Sequence, residues 1–291
     1  MIISVAIHEE YKIRQVPNTY KYKYEWMQKN AEDVEILILG SSHTFFGVRP
    51  EFFDKKAFNL ANVSQDYRHD LYLLDYWLNR FKNMKFLICP ISTFSWFSHG
   101  LENGKESYRC RYYKIYMDCD LYPDISWYNL ELSDYDSSKA KRDRIKAHDK
   151  DTGCDKYGWG TWYMLSNKNM SNWNDASAAV ERHTAKDWKY IDYNYALISK
   201  MVEQCKSHNI QLVLITTPCW HTYYENLNQI QLSKMYELTN RITNKYNIRY
   251  FDYLKDDRFE ADDFFDCDHL SDVGAIKFSQ ILNEDILSLS K

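Results

Sequence analysis

Two stretches far apart in the chain hold side chains that could act together. "EILILGSSHTFFG" (Glu35–Gly47) sets Ser41, Ser42 and His43 directly after an apolar run, and "FFDCDHLSDVG" (Phe264–Gly274) places Asp266 three residues before His269. A serine hydroxyl is a poor nucleophile until a base takes its proton. It therefore needs a histidine within hydrogen-bond reach and a carboxylate that orients the ring. The sequence holds nine histidines, so position rather than presence carries the argument. In a turn leading into a helix that Ser271 can cap, the Asp-x-x-His spacing brings both side chains to one side. The carboxylate then holds one ring nitrogen while the other faces outward. Asp266, Asp268 and His269 are also a conceivable metal set, but nothing else in the chain clearly completes a coordination shell, so no metal or cofactor is assigned.

The elements that must position these groups are legible from hydrophobic periodicity. Five continuous apolar runs read as strands covered on both faces: residues 35–40, 56–61, 85–91, 210–218 and 248–253. Apolar positions at three- and four-residue steps predict helices after the second run (Tyr67, Leu71, Leu74, Leu78, Phe81), before the fourth (Tyr195, Ile198, Met201, Val202, Cys205) and before the fifth (Leu227, Ile230, Met235, Leu238, Ile242). Ile276, Phe278, Ile281, Leu282, Ile286 and Leu289 mark a closing helix. Strands alternating with helices imply an α/β fold, a three-layer α/β/α sandwich around a five-stranded parallel sheet of flavodoxin-like order. Such sheets bind ligands outside the carboxyl ends of their strands, the rim on which Ser42 falls.

One interval breaks the rhythm. About 90 residues separate the third strand from the next helix, where a crossover needs only about a dozen. This 100–189 segment is rich in Tyr and Trp around a charged middle, "DSSKAKRDRIKAHDKD". It reads as an insertion or lid within a single domain spanning 1–291. Trp96, Trp159 and Trp162 could stack on a sugar, although aromatic residues in strings more often form core.

Composition removes other classes. A net charge of −4 lacks the basic footprint that nucleic acid requires. Seven scattered cysteines with no CxxC pair fit neither a disulfide framework nor a zinc module and read as free thiols. The amino-terminal "MIISVAIHEEYK" reads as a strand or frayed end, too short to span a membrane and without a basic leader. Free thiols and the missing leader favour the cytoplasm, whereas an upstream anchor would place the protein at the cell envelope.

Gly40-Ser41-Ser42 followed far downstream by Asp266-x-x-His269 resembles the SGNH, or GDSL-like, hydrolase superfamily, in its divergent envelope branches of alginate acetylation and teichoic-acid D-alanylation. Ser41 stands where the family has Asp. The resemblance implies catalytic Ser42, His269 and Asp266. It also implies an oxyanion hole made by Ser42, by Ser64 in "NLANVSQD" and by Ser92 in "CPIST", the last two replacing the family's Gly and Asn. The expected activity is a serine esterase or O-acyltransferase acting on an acylated (acetylated) carbohydrate or another small ester. The competing expectation is a catalytically silent glycan-binding or assembly protein. Trp220, His221 and His183 are candidate substrate contacts. His43, the neighbour of Ser42, is expected either to pack or to bind substrate.

Overall fold

The computed structural model describes residues 2–122 and 129–289. All five expected runs form strands: β1 (Ile36–Ile38), β2 (Ala57–Asn59), β3 (Phe86–Pro90), β4 (Gln211–Thr216) and β5 (Arg249–Asp252). Every pairing is parallel and the order is β2-β1-β3-β4-β5. Ile38 lies between Asn59 and Ile88, so β1, second in the sheet, is the strand from which the chain departs first to one side and then to the other. The crevice that opens beyond such a reversal is where ligands bind in doubly wound sheets.

Eleven helices are described: α1 (Ile2–Arg14), α2 (Thr19–Asn30), α3 (Ser42–Gly47), α4 (Tyr67–Leu78), α5 (Arg109–Tyr116), α6 (Tyr135–Lys146), α7 (Ser177–His183), α8 (Ile191–Ser207), α9 (His221–Asn226), α10 (Gln229–Tyr246) and α11 (Asp272–Ser288). Alternate strand residues feed two buried layers. Leu37, Leu39, Leu87, Leu212 and Leu214 pack against α2, α4, α8 and α10, whereas Ile36, Ile38, Ile88, Val213 and Ile215 pack against α11 through Phe278, Leu282 and Ile286. Burial on both faces is why these strands carry no polar alternation.

The amino terminus departs from expectation, because residues 2–14 are helical rather than strand or frayed. Glu10 and Arg14 pair one turn apart, the Glu10 carboxylate accepts the N–H groups of Glu131 and Leu132, and Ile13 is fully buried. These contacts outweigh the β-branched opening. No helix among the described residues is long and apolar enough to cross a membrane.

Between β3 and α8 the chain returns to the rim. Residues 153–163 cross over α3: Asn59 N–H donates to the Tyr157 carbonyl (3.0 Å), Gly160 N–H to the Phe45 carbonyl (2.9 Å) and Trp159 Nε1–H to the Phe46 carbonyl (2.6 Å). A side chain at Gly160 would meet the Phe45 and Phe46 rings at 2.7 Å, so only glycine permits this approach. Trp159 and Trp96 are core, and Trp162 is half exposed beside Asp151. The charged middle of the segment forms α6. All seven cysteines are buried thiols.

Candidate functional site

Ser42 is the first residue of α3, immediately past β1. The turn into it needs Gly40, whose φ of +111° lies in the left-handed region and whose missing Cβ would sit 2.1 Å from Pro90 Cγ. Gly40 N–H donates to the buried Asp70 carboxylate (3.0 Å), and Gln65 Nε2–H donates to the same oxygen (2.6 Å). Burial raises Asp70 to about 7 against these two donors.

The second stretch forms a closed loop. Phe264 and Leu270 bridge antiparallel, Phe265 N–H donates to the His269 carbonyl (2.9 Å) and Ser271 N–H to the Asp263 carbonyl (2.8 Å). Ser271 caps α11 by accepting from Gly274 N–H. At the loop tip, Asp266 Oδ1 accepts the N–H groups of Asp268 (3.1 Å) and His269 (2.8 Å), an Asx turn that fixes the carboxylate.

The two stretches meet. His269 Nδ1 lies 2.9 and 3.1 Å from the Asp266 oxygens, and its Nε2 lies 2.8 Å from Ser42 Oγ. Burial disfavours charge on His269, but the Asp266 and Asp268 carboxylates overcome it and raise the imidazole to about 9. Below that pH both ring nitrogens carry hydrogen. Above it, Nε2 can accept the Ser42 proton.

A second array lies behind the first. Asp268 Oδ2 is 3.1 Å from His43 Nε2, and His43 Nδ1 is 2.9 Å from Ser92 Oγ. Asp268 is held ionised well below the carboxylate range: burial opposes this, while the His269 charge and the His43 hydrogen bond outweigh it. His43 is pushed down by burial, against the pull of Asp268, and is neutral. A neutral ring facing a carboxylate places its hydrogen on Nε2, which leaves Nδ1 as an acceptor. The Ser92 hydroxyl must then donate to His43. Of the two roles expected of His43, it is packed and buried, and the Ser92 hydroxyl expected at the oxyanion is engaged with its ring.

His183 lies at the edge of this array, 3.9 Å from Asp268 and 2.7 Å from the Tyr223 hydroxyl, which in turn lies 3.0 Å from Thr93. Burial drives it down to about 3 despite Asp268. His221 is not part of the site; it is exposed and pairs with Glu225 at 3.3 Å. Trp220 packs against Trp173 and Phe264, its indole N–H on Asn174, while its backbone N–H holds the Cys267 carbonyl (2.9 Å). Its backbone thereby supports the Asp266–His269 loop. Ser64 adopts φ +60°, the conformation that favours glycine.

The sequence reading passed over an aromatic wall. Phe46, Tyr163 and Phe265 stack in series at 3.8 and 4.2 Å, and the Tyr163 ring meets His269 edge-on at 5.1 Å. The sequence signal was there, as "WGTWY" brings two glycine contacts and an aromatic to the rim, but its register was hidden. Ring nitrogens of His43 and His269 and the Asp268 carboxylate lie within 4.8 Å of one another, yet they are engaged with each other and with Ser42, Ser92 and Asp266.

No protein-family model and no curated protein matches the sequence. Similar solved structures include two acyl-hydrolase-like proteins, alike to this chain at low identity. One is a "putative acylhydrolase" from Bacteroides fragilis, 11% identical, covering 91% of this chain and 95% of its own, with a TM-score of 0.44. The other is a GDSL-like lipase from Bacteroides thetaiotaomicron, 10% identical, covering 94% of this chain and 100% of its own, also with a TM-score of 0.44.

Proposed function

We propose that the protein is a serine ester hydrolase of the SGNH type, with Ser42 as nucleophile, His269 as general base and acid, and Asp266 as the orienting carboxylate. The observation that carries this reading is the 2.8 Å approach of His269 Nε2 to Ser42 Oγ, with Nδ1 pinned on Asp266. Ser42 Oγ attacks the ester carbonyl carbon as its proton passes to His269 Nε2. The tetrahedral intermediate collapses, the C–O bond to the alcohol breaks, and His269 returns the proton to the departing oxygen. Water, activated by the same imidazole, then releases the acid and regenerates Ser42. A sugar hydroxyl in place of water would make the reaction an O-acyl transfer. The Ser42 and Ser64 N–H groups face the developing oxyanion.

The 100–189 segment serves as a wall beside the rim, contributing Tyr163 and His183. The acyl group rests on the Phe46–Tyr163–Phe265 stack, whose modest span suits a short chain such as acetyl. An acylated carbohydrate is the substrate class we favour, given the partly exposed Trp173 and Trp220 beside the loop.

The test is labelling by a fluorophosphonate probe together with p-nitrophenyl acetate turnover. Wild type is expected to label and turn over, and Ser42→Ala to do neither. A folded wild type that does neither would instead support a silent, glycan-binding role.

A further inference from the structure

Away from the Ser42–His269 pair, the same side of the sheet holds an opening that the proposed reaction does not use. Helices joining parallel strands run back against them, so the first turns of α4 and α8 lie at the carboxyl ends of the strands, where Ser42 also stands. Between those first turns and the segment that follows β3 is a cavity of about 270 Å³. It is lined from the connections of β2 and β3, the two strands that flank β1. Asp66, which caps α4, ties the two sides together. One carboxylate oxygen accepts from Arg68 and His69 N–H, and the other accepts from Leu101 N–H (2.7 Å). That carboxylate is spent on structure.

The rest of the lining is balanced in charge and rich in unused hydrogen-bonding capacity. Arg68 and Glu102 offset each other as an ion pair at 2.8 Å. The His99 ring donates from Nδ1 to the Gly100 carbonyl (3.3 Å), which leaves Nε2 as an acceptor. Asn103 donates its Nδ2–H to the His99 carbonyl (2.7 Å) and keeps Oδ1 as a second acceptor. Among the described residues, no hydrogen bond uses the hydroxyls of Tyr190 and Tyr193, which line the opposite side. Three rings supply apolar faces. Those of His99 and Tyr190 lie 6.2 Å apart, and Tyr193, in the first turn of α8, is half exposed.

A simple anion or cation meets no unpaired charge here. A molecule whose hydroxyls both donate and accept can instead meet phenol, imidazole and amide groups together, and flat aromatic rings suit the C–H faces of a sugar. The volume lies just below the ~300 Å³ at which drug-sized ligand sites begin, so it admits a single ring rather than a chain. We infer that this cavity is a saccharide subsite that takes one neutral sugar unit, with the rest of a glycan running along the rim towards Ser42. The second half of that statement rests on the ester-hydrolase reading above; the binding itself does not. Its consequence is selection for a polymer over a small ester, since binding remote from the reacting bond positions that bond.

The probes are the neutral trisaccharides chitotriose, cellotriose, maltotriose and mannotriose, followed by saturation-transfer NMR on the intact protein. At least one should bind wild type and Ser42→Ala equally at millimolar concentration. Tyr193→Ala and His99→Ala change exposed side chains, so both should fold. Each should weaken binding of that saccharide by about tenfold. A folded wild type that binds none of the four, or binding that survives intact in both variants, overturns the inference. Preferential binding of inorganic phosphate or tetramethylammonium overturns it too, because either would reveal an unbalanced charge. The two readings fail separately. Saccharide binding without fluorophosphonate labelling removes the esterase and keeps the cavity, whereas labelling without saccharide binding removes the cavity alone.

Discussion

The rim carries two Asp–His–Ser arrays that share a carboxylate neighbourhood and differ in almost everything else. In the first, Asp266 holds His269 and His269 faces Ser42; in the second, Asp268 holds His43 and His43 faces Ser92. Burial is the largest influence on both rings: on His269 the Asp266 and Asp268 carboxylates together overcome it and raise the ring to about 9, whereas on His43 the pull of Asp268 falls short and the neighbouring His269 charge opposes it. The first histidine gains its charge readily and its partner serine begins a helix with open N–H groups. The second keeps a fixed neutral tautomer that uses up its serine's proton. On the proposed reading, three residue types in the same order make a reactive unit in one place and a brace in the other. What separates them is the balance of charge against burial.

The largest effect that would sharpen this contrast is expected from His269→Ala, which should lower p-nitrophenyl acetate kcat/KM by about 10⁴-fold or more. His43→Ala should cost far less at the chemical step and more in thermal stability, since it strands the buried Asp268 charge. Comparable losses in both variants would erase the distinction between reactive unit and brace.

Next is Asp266→Asn, which leaves the shape of the site but favours the wrong ring tautomer. A loss of about 10³–10⁴-fold is expected. Asp268→Asn should be milder in rate at high pH, because its Oδ1 stands 3.6 Å from His269 Nδ1 and acts through charge rather than a hydrogen bond. It should move the pH midpoint of activity downwards, as His269 loses one of the two carboxylates that raise it. An unmoved midpoint would show that Asp268 does not act on the base.

That pH dependence can be read in wild type as well. The base must be neutral, so kcat/KM should climb with pH, with its midpoint near 9, and level off above it. The linked stability runs the other way. A folded pKa raised above its unfolded value stabilises fully below about 6.5, and that contribution disappears as pH rises through about 9. Activity and thermal stability should cross over this window, a pattern measurable by rate profiles and melting curves on the same sample. A plateau in rate already reached at pH 7 would contradict the raised base.

How much of this was legible in the sequence follows from the range of each interaction. The five strands and the helices between them are encoded in local periodicity, and the sheet covers both faces of every run, so the order α/β could be read. Ser42, Asp266 and His269 were legible because turn chemistry and spacing fix their local geometry. The Ser92 hydroxyl could not be assigned, since its proton is decided by His43, whose tautomer is decided by Asp268, 225 residues away. Ile230, counted on a buried stripe, is exposed, and in that turn Gln231 and Leu232 are buried instead. The α1 helix was missed for the same reason: its contacts to residues 131 and 132 lie outside any local window.

The smallest expected effect concerns His183, which separates the brace from its surroundings. Its folded pKa is depressed to about 3 by burial, so below the unfolded value near 6.5 the unfolded chain binds a proton that the folded chain refuses. Stability should therefore fall as pH drops from about 6.5 towards 3, by about 1.4 kcal/mol for each pH unit at most. Asp268, depressed instead, loses its own contribution only at lower pH, as it is protonated. His183→Gln keeps an acceptor for the Tyr223 hydroxyl but cannot titrate, so its melting temperature should decline less between pH 6.5 and 5 than that of wild type, with turnover at pH 9 unchanged. Equal acid sensitivity in the two proteins would move the pH-dependent cost to His43, at the centre of the brace, and leave His183 as packing alone.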